Sequence, residues 1–299
     1  MDYLKAMECR LHKEINRYLG KKTFKSVMKK EFTYGLCENN EHVVVSMASY
    51  AGRYNTIMPT LKSLLVQSYK PDKIIVWLDK EIPENIITDQ MKEFEKYGVE
   101  YRYTDDDLMP HKKYFYAMRE FKDSIIITVD DDLVYSSELI ESLINTYKKY
   151  PNCVCARRVH KMKFDQNRNI LPYKTWEYEY KKERTPSYLL CPTGCGGVLY
   201  PAGVLPEETF EIEKIKRLCL RADDIWLKFM ELKADVRTVW VPTNYVMPYE
   251  VKNSQTMALN ITNTNGGGND EYIKRILIEY PEIKKKLQRA AELEQQMYL

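Results

Sequence analysis

The stretch IIITVDDDLVY, residues 125–135, places a short apolar run directly before three consecutive aspartates. A β-branched run of this length is typical of a buried strand. Two like charges about 4 Å apart repel by roughly 4 kcal/mol at an effective dielectric constant near 20. Three carboxylates at the end of a buried strand therefore predict a positively charged partner, and a divalent cation is the simplest one.

The spacing of the three aspartates predicts which of them bind that cation. In an extended chain residues two apart face the same way, so we expect Asp130 and Asp132 to share a side and Asp131 to point across. One or two carboxylates hold Mg²⁺ while water and substrate phosphates fill its other positions. The triplet thus favours Mg²⁺ or Mn²⁺ over zinc and suits a diphosphate leaving group. The alternative is a strand end that continues into an acidic helix N-terminus.

Composition excludes several classes of protein. The chain has 299 residues, 44% of them hydrophobic, and can form one large domain or two small ones. A net charge of +3 is too small to indicate a nucleic-acid partner. There is no apolar run of the roughly 18 residues that a membrane span needs and no apolar leader, so we expect a cytosolic protein. An odd number of cysteines, seven, then indicates reduced thiols.

Hydrophobic periodicity divides the chain into three parts. Residues 1–40 read as a basic helical leader, which either docks on the next domain or lies on the inner face of a membrane. From residue 42 short strands and helices alternate, which predicts an α/β sandwich with a mostly parallel sheet and helices on both faces. The predicted strands cover residues 42–49, 72–79, 99–105, 124–130 and 152–159, and the predicted helices cover 56–68, 85–98, 113–123 and 136–151.

Local signals predict where three of the helices begin or end. Gly98 is expected at a helix C-cap. Ser136 or Ser137 should cap the helix that follows the aspartates, and Asn269 or Asp270 should cap a helix after the NTNGGGND loop. In parallel sheets ligands bind beyond the carboxyl ends of the strands. We therefore expect the site among residues 49–53, 79, 104–107 and 130–132.

Four stretches together resemble the GT-A glycosyltransferases of the broad bacterial family-2-like kind. They are VVVSMASYAGR (43–53), TLKSLLVQSYKPDKIIVWLD (60–79), the DDD at 130–132 and ADDIW (222–226). The resemblance covers roughly residues 42–250. It implies a GT-A fold, a nucleotide-sugar donor, most simply a UDP-sugar, and a Mn²⁺ or Mg²⁺ ion.

The resemblance also implies roles for particular residues. Asp132 becomes the metal ligand, with Asp130 contacting both the nucleotide and the metal and Asp131 beside them. Asp79 would lie near the nucleoside. Three further residues would border the same pocket: Ser49, Tyr50 and Arg53.

An acidic pair at a helix start supplies the base of an inverting transferase in this family. Here the pair is Asp223 and Asp224, and Asp224 is the predicted base. The alternative for this pair is stabilisation of the helix N-terminus by two acids. Many relatives have Glu-Asp here, so the choice between the two residues stays open.

Other side chains add candidate contacts with the substrates. Lys112 or Lys113 is expected to reach the diphosphate, while His111 is an alternative base or a surface histidine. Gly196 and Gly197 suit an acceptor loop, because glycine lets backbone approach a ligand closely; a tight turn is the alternative. Trp226 and Trp176 are expected to contact an acceptor sugar, although Trp226 fits the core equally well. Trp176, Tyr178 and Tyr180 together fit either a sugar platform or a packed hairpin, and the sequence does not decide between the two.

These observations predict a metal-dependent glycosyltransferase that acts on a glycan or lipid-linked saccharide in surface polysaccharide synthesis. Its catalytic domain would span residues 41–250, with a nucleotide-binding half (41–160), an acceptor half (161–250), and a loop with C-terminal helices after it (251–299). Two alternatives remain. A sugar-nucleotide nucleotidyltransferase would need a glycine-rich phosphate loop after the first strand, and a non-catalytic binding protein would not need both acidic clusters.

Overall fold

The computed structural model describes residues 35–83, 86–242, 249–251 and 267–297, and four helical positions nearer the N-terminus, Met7, Tyr18, Lys22 and Lys25. The rest of the predicted basic leader, and residues 252–266 of the predicted C-terminal loop, lie outside the described residues. Within the described parts, no helix combines the length and the apolar character that crossing a membrane requires. The six cysteines in these parts are free thiols.

A seven-stranded sheet forms the centre of the fold, as the alternation of strands and helices predicted. The seven strands are β1 (Val43–Ala48), β2 (Lys73–Leu78), β3 (Val99–Tyr103), β4 (Ile125–Thr128), β6 (Cys153–Ala156), β9 (Val198–Tyr200) and β10 (Arg237–Trp240). Their order in the sheet is β10-β6-β9-β4-β1-β2-β3, and β9 alone runs antiparallel to its two neighbours. Two small sheets pair β5 (Leu133–Val134) with β11 (Tyr249–Glu250), and β7 (Val159–Lys161) with β8 (Leu190–Pro192).

Helices cover both faces of the sheet, which explains the uninterrupted apolar runs of its inner strands. Alternate residues of β1 enter different clusters, with Val43 and Val45 on one face and Val44 on the other. The first face packs against α1 (Met58–Leu65), α2 (Asp89–Lys92) and α4 (Leu139–Lys149). The second face packs against α3 (Lys112–Glu120), α5 (Ile212–Leu218), α6 (Asp223–Lys233), α7 (Gly268–Glu279) and α8 (Pro281–Met297).

The predicted helix ends were confirmed at one site and wrong at two. Gly98 ends its helical turn in the left-handed region, at φ +90°, as expected. However, α4 begins after Glu138 without a side-chain cap, because the Ser136 hydroxyl accepts a hydrogen bond from Arg157 instead. At α7 the cap position is Gly267, and the Asp270 carboxylate accepts from the backbone N–H of Tyr173.

The predicted helix over 85–98 is shorter than expected. It consists of the four-residue helix α2, which Thr88 caps by accepting from the N–H of Met91, and a 3-10 turn at Glu95–Tyr97.

Candidate active site

The aspartate triplet lies in a turn between β4 and β5, one residue beyond the strand that leads into it. Arg53 Nη1 lies 2.5 Å from Asp131 and 3.0 Å from Asp132, so one guanidinium joins these two carboxylates. The expectation that Asp131 points away from Asp132 is therefore wrong, because the alternation of an extended strand does not continue into a turn.

The loop after β1 holds this turn in place. The Ser49 hydroxyl donates to Asp131 at 2.6 Å, and the guanidinium of Arg53 lies 5.6 Å from the centre of the Tyr50 ring. The Thr60 hydroxyl of α1 donates to the backbone oxygen of Asp131. The predicted set of Ser49, Tyr50 and Arg53 therefore gathers at the triplet.

Lys113 connects the triplet to the second acidic cluster. Its Nζ lies 2.8 Å from Asp130 and 2.8 Å from Asp223, and its side chain is only 6% exposed. Burial lowers the pKa of Lys113, but the negative charges of Asp130, Asp223 and Asp224 more than offset it and raise the pKa well above its usual value. The lysine is thus a fixed positive charge between two acidic segments that lie about 90 residues apart in sequence.

Gly194 completes the junction between the clusters. Its backbone N–H donates to Asp224 Oδ1 at 2.9 Å. A Cβ at this position would lie 2.7 Å from Lys113 Nζ, 3.2 Å from Asp224 Oδ1 and 3.4 Å from Asp130 Oδ1. Gly194 therefore lies at the centre of the site, where a side chain would collide with Lys113, press on Asp224 and touch Asp130.

The two acids at the start of α6 have different surroundings. Asp223 is buried against Lys113. Asp224 is held by the Gly194 N–H, and burial, followed by the charge of Asp223, raises its pKa well above the usual range. A carboxylate with a raised pKa is a stronger proton acceptor than an ordinary aspartate.

Asp79 and Lys112 form a second ion pair at the same sheet edge. Lys112 is buried and Asp79 is partly exposed at the end of β2. Of the two lysines expected near a diphosphate, Lys112 is thus paired with the predicted nucleoside contact and Lys113 with the acidic clusters.

The donor set is chemically suited to a hard divalent cation. Burial, then the charge of Asp130, raises the pKa of Asp132 to about 7, so the Arg53 charge does not offset the cost of ionising this carboxyl. A cation would stabilise the ionised form. Nowhere in the described ranges do three His, Cys, Asp or Glu side chains converge as a metal centre. One or two carboxylates suffice for Mg²⁺ where water and phosphate oxygens fill its other positions.

Two predicted acceptor contacts are wrong. Trp226 is completely buried, and its indole N–H donates to the backbone oxygen of Thr209. Trp176 is 3% exposed and donates to the backbone oxygen of Leu171. Both rings therefore belong to the core, where apolar side chains surround the ring and a backbone oxygen accepts from the indole N–H.

His111 is also in the core, rather than on the surface or in the role of a base. Its Nε2–H donates to the backbone oxygen of Cys219 at 2.8 Å, so its Nδ1 accepts from the Tyr114 hydroxyl at 2.9 Å. Burial lowers its pKa to about 4.

Packing and backbone conformation already explain why the two positions predicted for an acceptor loop, Gly196 and Gly197, are glycines. A Cβ at Gly196 would lie 2.8 Å from the backbone nitrogen of Arg158, and Gly197 has φ +84° against Leu139. Their role toward an acceptor remains a prediction. The sequence analysis missed Gly194, although it lies in the same stretch TGCGG (193–197) as Gly196 and Gly197. Nothing in that stretch shows which of its glycines faces Asp130 and Asp224.

Residues 44–201, more than half of the chain, match the model of the family described as glycosyl transferase family 2. The chain belongs to that family, and its sheet and flanking helices form a GT-A type fold. No curated protein matches the chain.

Two solved structures are similar to the chain. The crystal structure of S. aureus TarS 1–349 shares 17% identity over 79% of this chain and 69% of that one, with a TM-score of 0.41. The same fragment in complex with UDP shares 16% identity over 69% of this chain and 59% of that one, with a TM-score of 0.43.

Proposed function

We propose that the protein transfers a sugar from a nucleotide donor, with UDP-sugars as the first candidates, to a glycan or lipid-linked saccharide. The reaction is metal-dependent and inverts the configuration of the transferred sugar. Family membership supports the glycosyl-transfer class, and the residues at the carboxyl ends of the strands support the roles assigned below.

The observation that carries the proposal is the position of Lys113. Through Asp130 and Asp223 it joins the aspartate triplet to the start of α6, and Gly194 lies against both. A donor site and a base must be adjacent for transfer, since reacting atoms have to approach to about 3–3.5 Å. The two acidic segments therefore serve one reaction centre rather than two separate sites.

On the donor side the chain supplies carboxylates and a nucleoside pocket. Asp132 and Asp130 would hold the metal ion, which supplies positive charge to the departing diphosphate when bound. Ser49 and Arg53 fix the turn through Asp131. Asp79, with Lys112, faces the nucleoside.

On the acceptor side Asp224 takes the proton of the attacking hydroxyl. The Gly194 N–H binds one of its oxygens and so orients the carboxylate. Lys113 neutralises Asp223, which therefore acts as a positioning residue for the pair. A single base on the face opposite the leaving group gives inversion.

We also propose the predicted organisation, with the catalytic domain at 41–250 and its two halves meeting near residue 160. A basic leader at 1–40 would bring the enzyme to the inner face of the membrane, which suits surface polysaccharide synthesis.

Donor hydrolysis tests the proposal. The purified protein is incubated with MnCl₂ and a panel of UDP-, GDP- and dTDP-sugars, and release of nucleoside diphosphate is measured. We expect release from at least one donor, which EDTA or Asp132→Ala abolishes.

Asp123→Ala serves as the matched control, since Asp123 is an exposed aspartate in the turn before β4. Release that persists in Asp132→Ala would contradict the proposal, as would the absence both of release and of metal-dependent nucleotide binding.

A further inference from the structure

Two side chains near the carboxyl end of β6, Arg158 and Glu179, have hydrogen-bonding groups that the fold does not fully use. Arg158 lies in the two-residue connection between β6 and β7, and its backbone oxygen accepts from the N–H of Thr193 at 3.0 Å. Thr193 precedes Gly194, which binds Asp224. Arg158 is therefore attached to the loop that orients the predicted base.

The guanidinium of Arg158 is only partly engaged. Nη1 donates to the Thr193 hydroxyl at 2.9 Å and to Cys195 Sγ at 3.5 Å, while Nε and Nη2 both lie 3.5 Å from the same oxygen of Glu179. Buried Nε makes no hydrogen bond with any described residue. A well-formed arginine–carboxylate pair has distances of roughly 2.7–2.9 Å, so the Glu179 carboxylate does not satisfy this edge of Arg158.

Glu179 is held in an unusual backbone conformation. Its φ of +50° lies in the left-handed region, which is strained for a residue other than glycine. Its N–H donates to Nδ1 of His160 at 3.0 Å, which fixes this conformation. The strain keeps a half-exposed carboxylate opposite Arg158, and strain of this kind is concentrated at binding sites.

An open aromatic ring lies beside the pair. Tyr178 is 42% exposed, and its ring centre is 4.4 Å from that of His160, at an interplanar angle of 43°. The charge of Arg158 acts on the pKa values of both His160 and Tyr178, so the three side chains form one neighbourhood. An aromatic face next to a few fixed polar groups is typical of small-molecule sites.

We propose that Tyr178, Arg158 and Glu179 form the acceptor subsite and that it takes an uncharged sugar ring, a conclusion that rests on the function proposed above. The sugar stacks on Tyr178, Arg158 donates to its hydroxyl oxygens, and Glu179 accepts from its hydroxyls. Glu179 already balances the charge of Arg158, so a carboxylate or phosphate on this sugar would lose its hydration without gaining a free counter-ion.

The test is saturation-transfer NMR with the full-length protein, UDP and MgCl₂. The probes are methyl glycosides of glucose, galactose and N-acetylglucosamine, with methyl glucuronide as the charged counterpart. We expect at least one neutral glycoside to bind and the glucuronide to bind at least tenfold more weakly.

Tyr178→Ala should weaken binding by about 3- to 10-fold, the usual contribution of one aromatic contact. Tyr178→Phe should retain binding, because it keeps the ring. Glu179→Gln should weaken binding, while the neighbouring variant Glu177→Gln should not.

The inference is overturned if no neutral glycoside binds to the UDP-loaded protein, if Tyr178→Ala binds as the wild type does, or if the glucuronide binds more tightly. The UDP signals in the same samples separate the two proposals. Failure of UDP to bind counts against UDP-sugars as the donors of the proposed function, whereas UDP binding without glycoside binding counts against the subsite alone.

Discussion

Replacing Gly194 with alanine should disable the site while leaving the fold nearly intact. The backbone of Gly194 does not require glycine, since its φ lies outside the left-handed range. The added methyl group would lie 2.7 Å from Lys113 Nζ, whereas an ordinary contact is about 3.5 Å. Lys113 must therefore move by about 0.8 Å, because its ammonium is the group in closest contact.

The size of the effect follows from the two ion pairs of Lys113. Each is 2.8 Å long, and a displacement of about 0.8 Å would bring at least one of them near 3.6 Å, beyond hydrogen-bonding range. A charge-assisted hydrogen bond contributes about 1.5–3 kcal/mol. If that contribution is lost in the transition state, the rate falls about 10- to 150-fold.

The assay is metal-dependent donor turnover, measured together with thermal unfolding. Gly203→Ala is the control: Gly203 has φ +61° and no atom within 4 Å of the position an added methyl carbon would take, so it should lose stability without losing activity. Normal turnover by Gly194→Ala would refute the reasoning. So would a loss of turnover no larger than Gly203→Ala shows at equal stability.

Four further outcomes are expected. Lys113→Met should lower the free energy of unfolding by about 3–5 kcal/mol and abolish donor turnover, because it leaves Asp130 and Asp223 without their shared cation, and exposed Lys122→Met should do neither. Lys228→Met should destabilise by a similar amount in urea unfolding, since Lys228 and Glu231 are both completely buried, and adding Glu231→Leu should recover most of that loss. The pKa of His111 is about 4 in the fold and about 6.5 in the unfolded chain, so the unfolded state binds more protons between these values. The free energy of unfolding should therefore fall by about 1.4 kcal/mol per pH unit as the pH drops from 6.5 toward 4. His111→Gln should reduce this slope, and the exposed control His42→Gln should not. Trp226→Phe should lower the melting temperature but leave the acceptor KM unchanged, because Trp226 is buried in the core. A raised acceptor KM would contradict this and indicate that Trp226 contacts the acceptor.

Much of the sheet could be predicted from sequence because its strands are short β-branched runs separated by amphipathic helices. The helix starts at α4 and α7 could not be predicted as well. Ser136 and Asp270 are good capping residues locally, but each has a tertiary partner, Arg157 and the Tyr173 N–H, that takes its side chain. Local propensity correctly indicated residues that can cap a helix, but long-range contacts decided which group each side chain binds.

The candidate site shows the same division. The acidic residues stand out in the sequence because buried like charges are costly, but the sequence does not show that Asp130 and Asp223 meet at Lys113. The predicted orientation of the Asp131 side chain was wrong because the triplet lies in a turn and not in an extended strand. The prediction for Trp226 was wrong because a tryptophan on a helix looks the same in sequence whether it faces solvent or core. Only the fold shows that the Gly194 N–H binds Asp224 and that Arg158 is hydrogen-bonded to the same loop.

The central claim is that the aspartate triplet and the start of α6 form one metal-dependent site. A crystal of the protein grown with MnCl₂ and UDP, measured at a wavelength where manganese scatters anomalously, tests it directly. The account predicts an anomalous peak about 2.2 Å from a carboxylate oxygen of Asp132 or Asp130, with the diphosphate bound to the same ion. A manganese peak elsewhere, or a diphosphate bound away from these carboxylates, would contradict it.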